Sequence, residues 1–267
     1  MSARSQTTSE VAALLTVERG MQVLRAFRGE RYPLGNAEIV RRTRLPKATV
    51  SRLTSTLLQI GYLRHVPGGR EFELAAGSLG VGHAFLEASE SMRAADPFLQ
   101  ELADRLDGSV ALAIGDRLEM LYVAYRVSRK VATLRLGAGS VLPMGTTAIG
   151  HAYLWGQPAA ERNRLVAELT RTAGPHAGML EGGIRKSFAE LESSGTCGVV
   201  AGYQRDSYGI ALPVVVGRGR LVMSLSRGKA EVRPALALAA ARKHIAPALK
   251  EAAQRLEELL ADLDGQP

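Results

Sequence analysis

Residues Gly35 to Ile60 read GNAEIVRRTRLPKATVSRLTSTLLQI, the pattern of two short helices joined by a tight corner. The first is expected to open at Asn36, whose side-chain oxygen suits the unpaired N–H groups of a first helical turn, and to direct Ile39 and Val40 into a core. It ends near Thr43 and Arg44. The second opens on Pro46, because proline's missing N–H costs nothing at a first helical position, and places Val50, Leu53, Leu57 and Ile60 on one buried stripe. Its other side carries Lys47, Thr49, Ser51, Arg52, Thr54 and Ser55, the donors and acceptors that phosphate oxygens and base edges in a major groove require. This segregation is that of a helix-turn-helix. The corner lacks the usual glycine, so Thr43 or Arg44 must turn it, at a cost of about 1 kcal/mol if either is left-handed.

The next segment, Tyr62 to Leu74, holds two short alternating runs around Pro67-Gly68-Gly69 and reads as a β-hairpin, which makes the unit a winged helix-turn-helix. Arg64 and Arg70 on that wing are expected to clamp phosphates. Upstream, Val17, Met21, Leu24 and Phe27 have helical spacing and are expected to pack behind the other two helices.

Composition supports this reading. Of a net charge of +8, residues 1–75 carry twelve Lys and Arg against six Asp and Glu, an asymmetry better explained by a phosphate backbone than by solubility. The 267 residues suffice for two ordinary domains. No apolar run is long enough for a membrane span and no secretory signal opens the chain, so a cytoplasmic location is expected. The lone cysteine, Cys197, excludes an intrachain disulfide and reads as a buried thiol; the five histidines lack metal-ligand spacing, and no cofactor is expected.

Beyond the wing, Ser78 to Ser91 shows a weak stripe of Leu79, His83 and Leu86 and reads as a linker helix. A helix capped by Asp96 and carrying Phe98, Leu99, Leu102 and Leu106 opens a second domain. Strands are expected at Val110–Ile114, Leu118–Ala124, Val131–Leu136, Tyr208–Val216 and Arg220–Ser226. Helices are expected at Ala159–Leu169, Ile184–Ser193 and from Pro234 to about Leu263. The fold class is therefore α+β, with residues 1–15 as a tail, 16–76 as the winged helix, 77–92 as the linker helix and 93–267 as an antiparallel sheet covered by helices. There is no Gly-x-Ser-x-Gly elbow and no phosphate-binding loop, so the chain is not expected to be an enzyme. The rival reading is a metabolite-binding enzyme with an accessory winged helix, which would turn over its bound ligand.

Four separated segments then carry a family resemblance: VERGMQVLRAF (Val17–Phe27), LPKATVSRLTSTLLQIGYL (Leu45–Leu63), LRLGAGSVLPMGTTAIGHAYL (Leu134–Leu154) and ALPVVVGRGRLVMSLSRG (Ala211–Gly228). In this order they resemble the IclR family of bacterial transcription regulators. The resemblance implies an N-terminal winged helix that binds a palindromic operator as a homodimer or dimer of dimers, and a C-terminal GAF-like domain whose pocket holds a small effector. It implies that Leu142, Ala148, Ile149, Ser224 and Ser226 line the pocket. Thr146 and the amides opening the helix near it favour a carboxylate. The segment Gly195–Gly202 is apolar throughout where many relatives are acidic, which predicts a greasier pocket and an aromatic or otherwise apolar acid.

Overall fold

In the computed structural model, residues 15–27, 32–129, 136–218 and 220–262 are described. Contacts divide the chain into two compact units, Met1–Phe85 and Leu86–Pro267.

The first unit contains helices α1 (15–25), α2 (Asn36–Thr43) and α3 (Lys47–Gln59), and an antiparallel hairpin of β1 (Leu63–His65) and β2 (Phe72–Leu74). Its core joins Val23, Phe27, Leu34, Ile39, Val50, Leu57, Leu63 and Phe72, which ties the wing to the helices. Several local expectations need correction. Phe27, just past α1, is buried as expected, but on α1 itself Val23 points inward, whereas Val17 and Met21 are 68% and 53% exposed. On α3 Ile60 lies beyond the helix and is exposed, and Thr54 is buried in its place. The Thr54 hydroxyl satisfies itself on Val50 O at 3.0 Å and Asn36 Oδ1 at 3.3 Å. Asn36 therefore braces α3 from inside α2, and Gly35 occupies the cap position; Pro46 likewise caps α3 from just outside it.

Arg44 turns the corner, with φ 56° and its amide bonded to Val40 O at 2.8 Å. A left-handed non-glycine residue is strained. Arg44→Gly is accordingly expected to stabilise the winged-helix unit by about 1 kcal/mol. Chemical denaturation followed by a probe in that unit checks this, and an unchanged midpoint would show that the corner carries no strain.

The second unit is built on a six-stranded sheet with order β5-β4-β3-β8-β7-β6 and every neighbour antiparallel. The strands are β3 (Ser109–Asp116), β4 (Glu119–Val127), β5 (Val141–Pro143), β6 (Cys197–Val200), β7 (Ser207–Val216) and β8 (Leu221–Ala230). Helix α4 (Ala76–Ala88) precedes α5 (Glu90–Leu106); further on lie α6 (Ala148–Gly156), α7 (Ala159–Ala173), α8 (Ala177–Ser194) and α9 (Pro234–Leu259). Alternation along the strands makes two cores. Leu112, Ile210, Leu212, Val214 and Leu225 face α5 and α9, while Ala113, Met120, Tyr122 and Ala211 face the side of α6, α7 and α8.

Helix α5 begins earlier than expected: Ser89 is its cap, accepting from Met92 N at 3.2 Å, and Asp96 and Pro97 lie inside it. Strand β6 had no counterpart in the sequence reading, and the strand expected at Val131–Leu136 falls mainly outside the described residues. In α4 no residue is buried, so the Leu79, His83 and Leu86 stripe is exposed.

Candidate DNA interface and effector cavity

Along α3 the side chains of Lys47, Ser51, Arg52 and Ser55 are exposed, joined by Ala48, Thr56 and Gln59; Thr49 is half-buried and Thr54 is withdrawn. The helical repeat sets Ser51, Arg52, Ser55 and Gln59 opposite the buried Val50, Leu57 and Thr54. Thr49, Arg52 and Thr56 also border a shallow cleft with Thr16 and Arg19 of α1, so two guanidinium groups line one surface. Arg19 and Gln59 were not singled out from the sequence, because only the packing of α1 against α3 shows where they lie. On the wing, Arg70 is exposed and Arg64 pairs with Glu73 across the strands at 2.7 Å. On α2, Arg41 and Arg42 hold the Glu38 carboxyl at about 2, well below the usual carboxylate range, so these two arginines are already matched by an anion.

The second unit holds a small, partly open cavity of about 60 Å³ at the start of α6. Leu142, Ala148, Ile149 and Ser226 line it as expected. Two expected residues do not. The Ser224 hydroxyl is fully buried and donates to Ile149 O at 2.8 Å, fastening β8 to α6. Thr146 is exposed and donates to Gly202 O at 2.8 Å, which holds the β6–β7 loop against the start of α6. Gly202 has to be glycine for that approach, since a Cβ there would sit 2.3 Å from Thr146 O.

Sequence reasoning missed most of the polar floor. Tyr122, Ser109 and Ser207 line the cavity, as does Tyr203 of the β6–β7 loop. Burial raises the Tyr122 phenol well above its ordinary pKa, and the Ser226 hydroxyl opposes the shift only partly. Tyr122 stacks on Tyr125 at 5.7 Å between ring centroids, and the Tyr125 hydroxyl is buried without a hydrogen-bond partner. The two tyrosines are three residues apart on β4, a spacing that puts them on opposite faces of a regular strand, and only the register shift opposite Leu112 and Ala113 brings both to one side, so the sequence gives no signal.

At the cavity's other end, Thr147 caps α6: its hydroxyl donates to Pro143 O at 2.7 Å and accepts from Gly150 N at 3.3 Å. The amides of Ala148 and Ile149 open the helix, where the partial positive charge of the helix terminus is greatest. Next to them His151 is buried, contacting Ser187 Oγ at 2.7 Å and Gly145 O at 2.9 Å; burial lowers its pKa and keeps it neutral. The Cys197 thiol donates to Ala148 O at 3.4 Å, and burial pushes its pKa up to about 12, so it is an inert packing group. Among the described residues no cluster of His, Cys, Asp and Glu has the arrangement of a metal site, and no helix is long and apolar enough to cross a membrane.

Comparison with known proteins accounts for both units. Residues 16–67 match the IclR helix-turn-helix domain, and residues 83–258 match the C-terminal domain of the bacterial transcriptional regulator IclR. The HTH-type transcriptional regulator TsaQ1/TsaQ2 of Comamonas testosteroni is 30% identical over 91% of this chain and 87% of its own length. An IclR family transcriptional regulator from Brucella abortus superposes with a TM-score of 0.79 at 31% identity, covering 91% of both chains. An IclR homologue from Microbacterium hydrocarbonoxydans, crystallised with 4-hydroxybenzoate, shares the fold at a TM-score of 0.63 and 19% identity, over 92% of this chain and 98% of its own. The chain belongs to the IclR family of bacterial transcriptional regulators, and it joins a DNA-binding helix-turn-helix to an effector-binding domain.

Proposed function

We propose that this regulator binds a palindromic operator as a homodimer or dimer of dimers in the cytoplasm, and that a small organic acid in the α6 cavity modulates that binding. The observation that carries the effector reading is the cavity's lining: the first residues of α6, Ala148 and Ile149, together with Tyr122 and Ser226 on a largely apolar wall, while the Ser109 and Ser207 hydroxyls border it but donate to Gly228 O and Gln204 O. A carboxylate is received by the amides of Ala148 and Ile149, and a second polar group by the tyrosine end. The apolar stretch expected from Gly195–Gly202 supplies Val199 and Gly202 to that wall, so an acid with an apolar body suits it. The same fold holds 4-hydroxybenzoate in the Microbacterium homologue.

The volume adds a mechanical consequence. An apolar cavity that admits benzene measures about 150 Å³, and this one measures about 60 Å³. An aromatic acid needs more room than that, and the β6–β7 loop, which lines the cavity with Gly202 and Tyr203, would supply it by moving outward and releasing the hydrogen bond from Thr146 to Gly202. Binding coupled to that movement would give the ligand a differential affinity for two arrangements of the domain. A tenfold change in operator occupancy requires only about 1.4 kcal/mol of such difference.

In the DNA-binding unit we assign Lys47, Thr49, Ser51, Arg52 and Ser55 to the major groove, and Arg64 and Arg70 to the phosphates. Residues 16–76 form that unit, after a tail at 1–15, and 77–92 link it to the effector domain at 93–267. The linker helix α4 leaves Leu79, Val81, Phe85 and Leu86 at least 40% exposed, an apolar surface that a second copy of the chain would cover.

Calorimetric titration with benzoate-like and glyoxylate-like acids tests the effector reading. Tyr122→Phe is expected to weaken a hydroxybenzoate by about 0.5–1.5 kcal/mol, the worth of one neutral hydrogen bond, without changing the fold. Binding of two- and three-carbon oxo acids alone would overturn the aromatic assignment.

A further inference from the structure

A second cavity lies in the same unit, between α8, β6 and α9. It is an open groove of about 460 Å³, within the range of ligand sites, whereas the α6 cavity is far below it. Its apolar floor comes from Met179 and Leu180 of α8, Val199 and Val200 of β6, and Leu238 of α9. Met179 is 73% exposed, an unusual position for so large an apolar side chain unless something covers it.

The groove's electrostatics are one-sided. None of the residues that line it is acidic, while Lys186, His176 and Arg242 border it. Arg242 is matched by Glu190 at 2.6 Å, and the same carboxylate oxygen accepts from Gly198 N at 2.9 Å on the sheet's outer strand. Lys186 is exposed and forms no ion pair with any described residue. His151, at the base, has both ring nitrogens committed to Ser187 and Gly145. An apolar trough with one uncompensated ammonium at its rim is complementary to a molecule with an apolar body and a single anionic head.

We propose that this groove is a second ligand site, for an amphipathic organic anion whose apolar chain or ring system lies along Met179, Leu180 and Leu238 and whose carboxylate or sulfonate meets Lys186. The site is separate from the α6 cavity, but the two share a wall: Val199 and Gly202 line both, and Thr146, which holds Gly202, borders the groove. An occupant of the groove therefore packs against Val199 and Gly202, which also border the inner cavity. Its binding does not depend on which acid the inner cavity takes.

The test uses the full-length protein and two probes, decanoate by calorimetry and 1-anilinonaphthalene-8-sulfonate by fluorescence. One saturable decanoate site per chain is expected, with the dye displaced by decanoate. Lys186→Glu and Met179→Glu should each weaken both probes at least tenfold with an unchanged melting temperature, because both side chains are exposed. Ser226→Val, which alters the inner cavity alone, should leave decanoate binding in place. Decanoate affinity untouched by both groove variants, or lost in Ser226→Val while kept in Lys186→Glu, would overturn the proposal. So would a wild-type protein that binds neither probe but self-associates through a surface that Met179→Glu disrupts, because the groove would then be a protein interface.

Discussion

Gly150→Ala is expected to unseat α6 and to lower the melting temperature of the effector unit by about 6–12 °C, from a loss of about 3 kcal/mol. A Cβ at this position would stand 2.0 Å from the carbonyl oxygen of Met144 and 2.6 Å from its carbonyl carbon and Cα. The obstruction is backbone, so no rotamer change relieves it, and Met144 is itself fully buried. The loop from Met144 to Thr147 would have to lift away. That loop carries Thr147, whose hydroxyl caps the helix at Gly150 N, and it leads into Ala148 and Ile149 at the cavity. Effector binding should therefore fail together with stability. Gly182 on α8 provides the contrast: its Cβ would meet nothing within 4 Å, so Gly182→Ala is expected to stabilise by up to about 1 kcal/mol through helix propensity alone. Calorimetric melting of the two variants measures opposite signs for the same chemical change. A Gly150→Ala protein melting within a degree of the wild type would mean that the loop is free to move, and the cavity's rigidity would have to be sought elsewhere.

The second large effect is expected at Arg52→Ala, which should sharply weaken specific operator binding while leaving effector affinity intact. Arg52 is exposed on α3 and borders the cleft shared with Arg19. An arginine that reaches a guanine edge contributes about 1–3 kcal/mol of discrimination, so operator affinity should fall roughly five- to more than a hundredfold. Binding to unrelated DNA should fall much less. Arg70→Ala, on the wing, should instead weaken all sequences alike and reduce the salt dependence, as the loss of a phosphate contact does. Fluorescence anisotropy against operator and random duplexes at several salt concentrations separates the two. Unchanged operator affinity at moderate salt in Arg52→Ala would show that the recognition face is misassigned.

Features governed by neighbours in the chain were legible in the sequence. The limits of α2 and α3, the left-handed corner, the wing and the β7–β8 hairpin follow from proline and glycine placement and from the period of apolar residues, all local properties. The four-segment resemblance to the family was legible for a different reason: it compares patterns along the whole chain, and separated matches in one order are specific.

What the sequence could not reveal was which of two permissible faces the fold buries. Helical spacing offers Met21 for the inward face as readily as Val23, and only packing against Ile39, Val50 and Phe72 selects Val23. Strand β6 is four residues long, too short to show a period, and it is a strand only because β7 offers an edge beside it. The cavity went furthest astray for the same reason. Ser224 and Ser226 share a strand face, yet the first faces Ile149 O and bonds it while the second lines the cavity, and Tyr122 reaches that space from a strand more than a hundred residues earlier. The sequence by itself determined most of the elements and the family. The tertiary structure alone decided the floor of the cavity and the apolar groove, because hydroxyls and hydrophobes brought together from distant strands and helices leave no spacing along the chain.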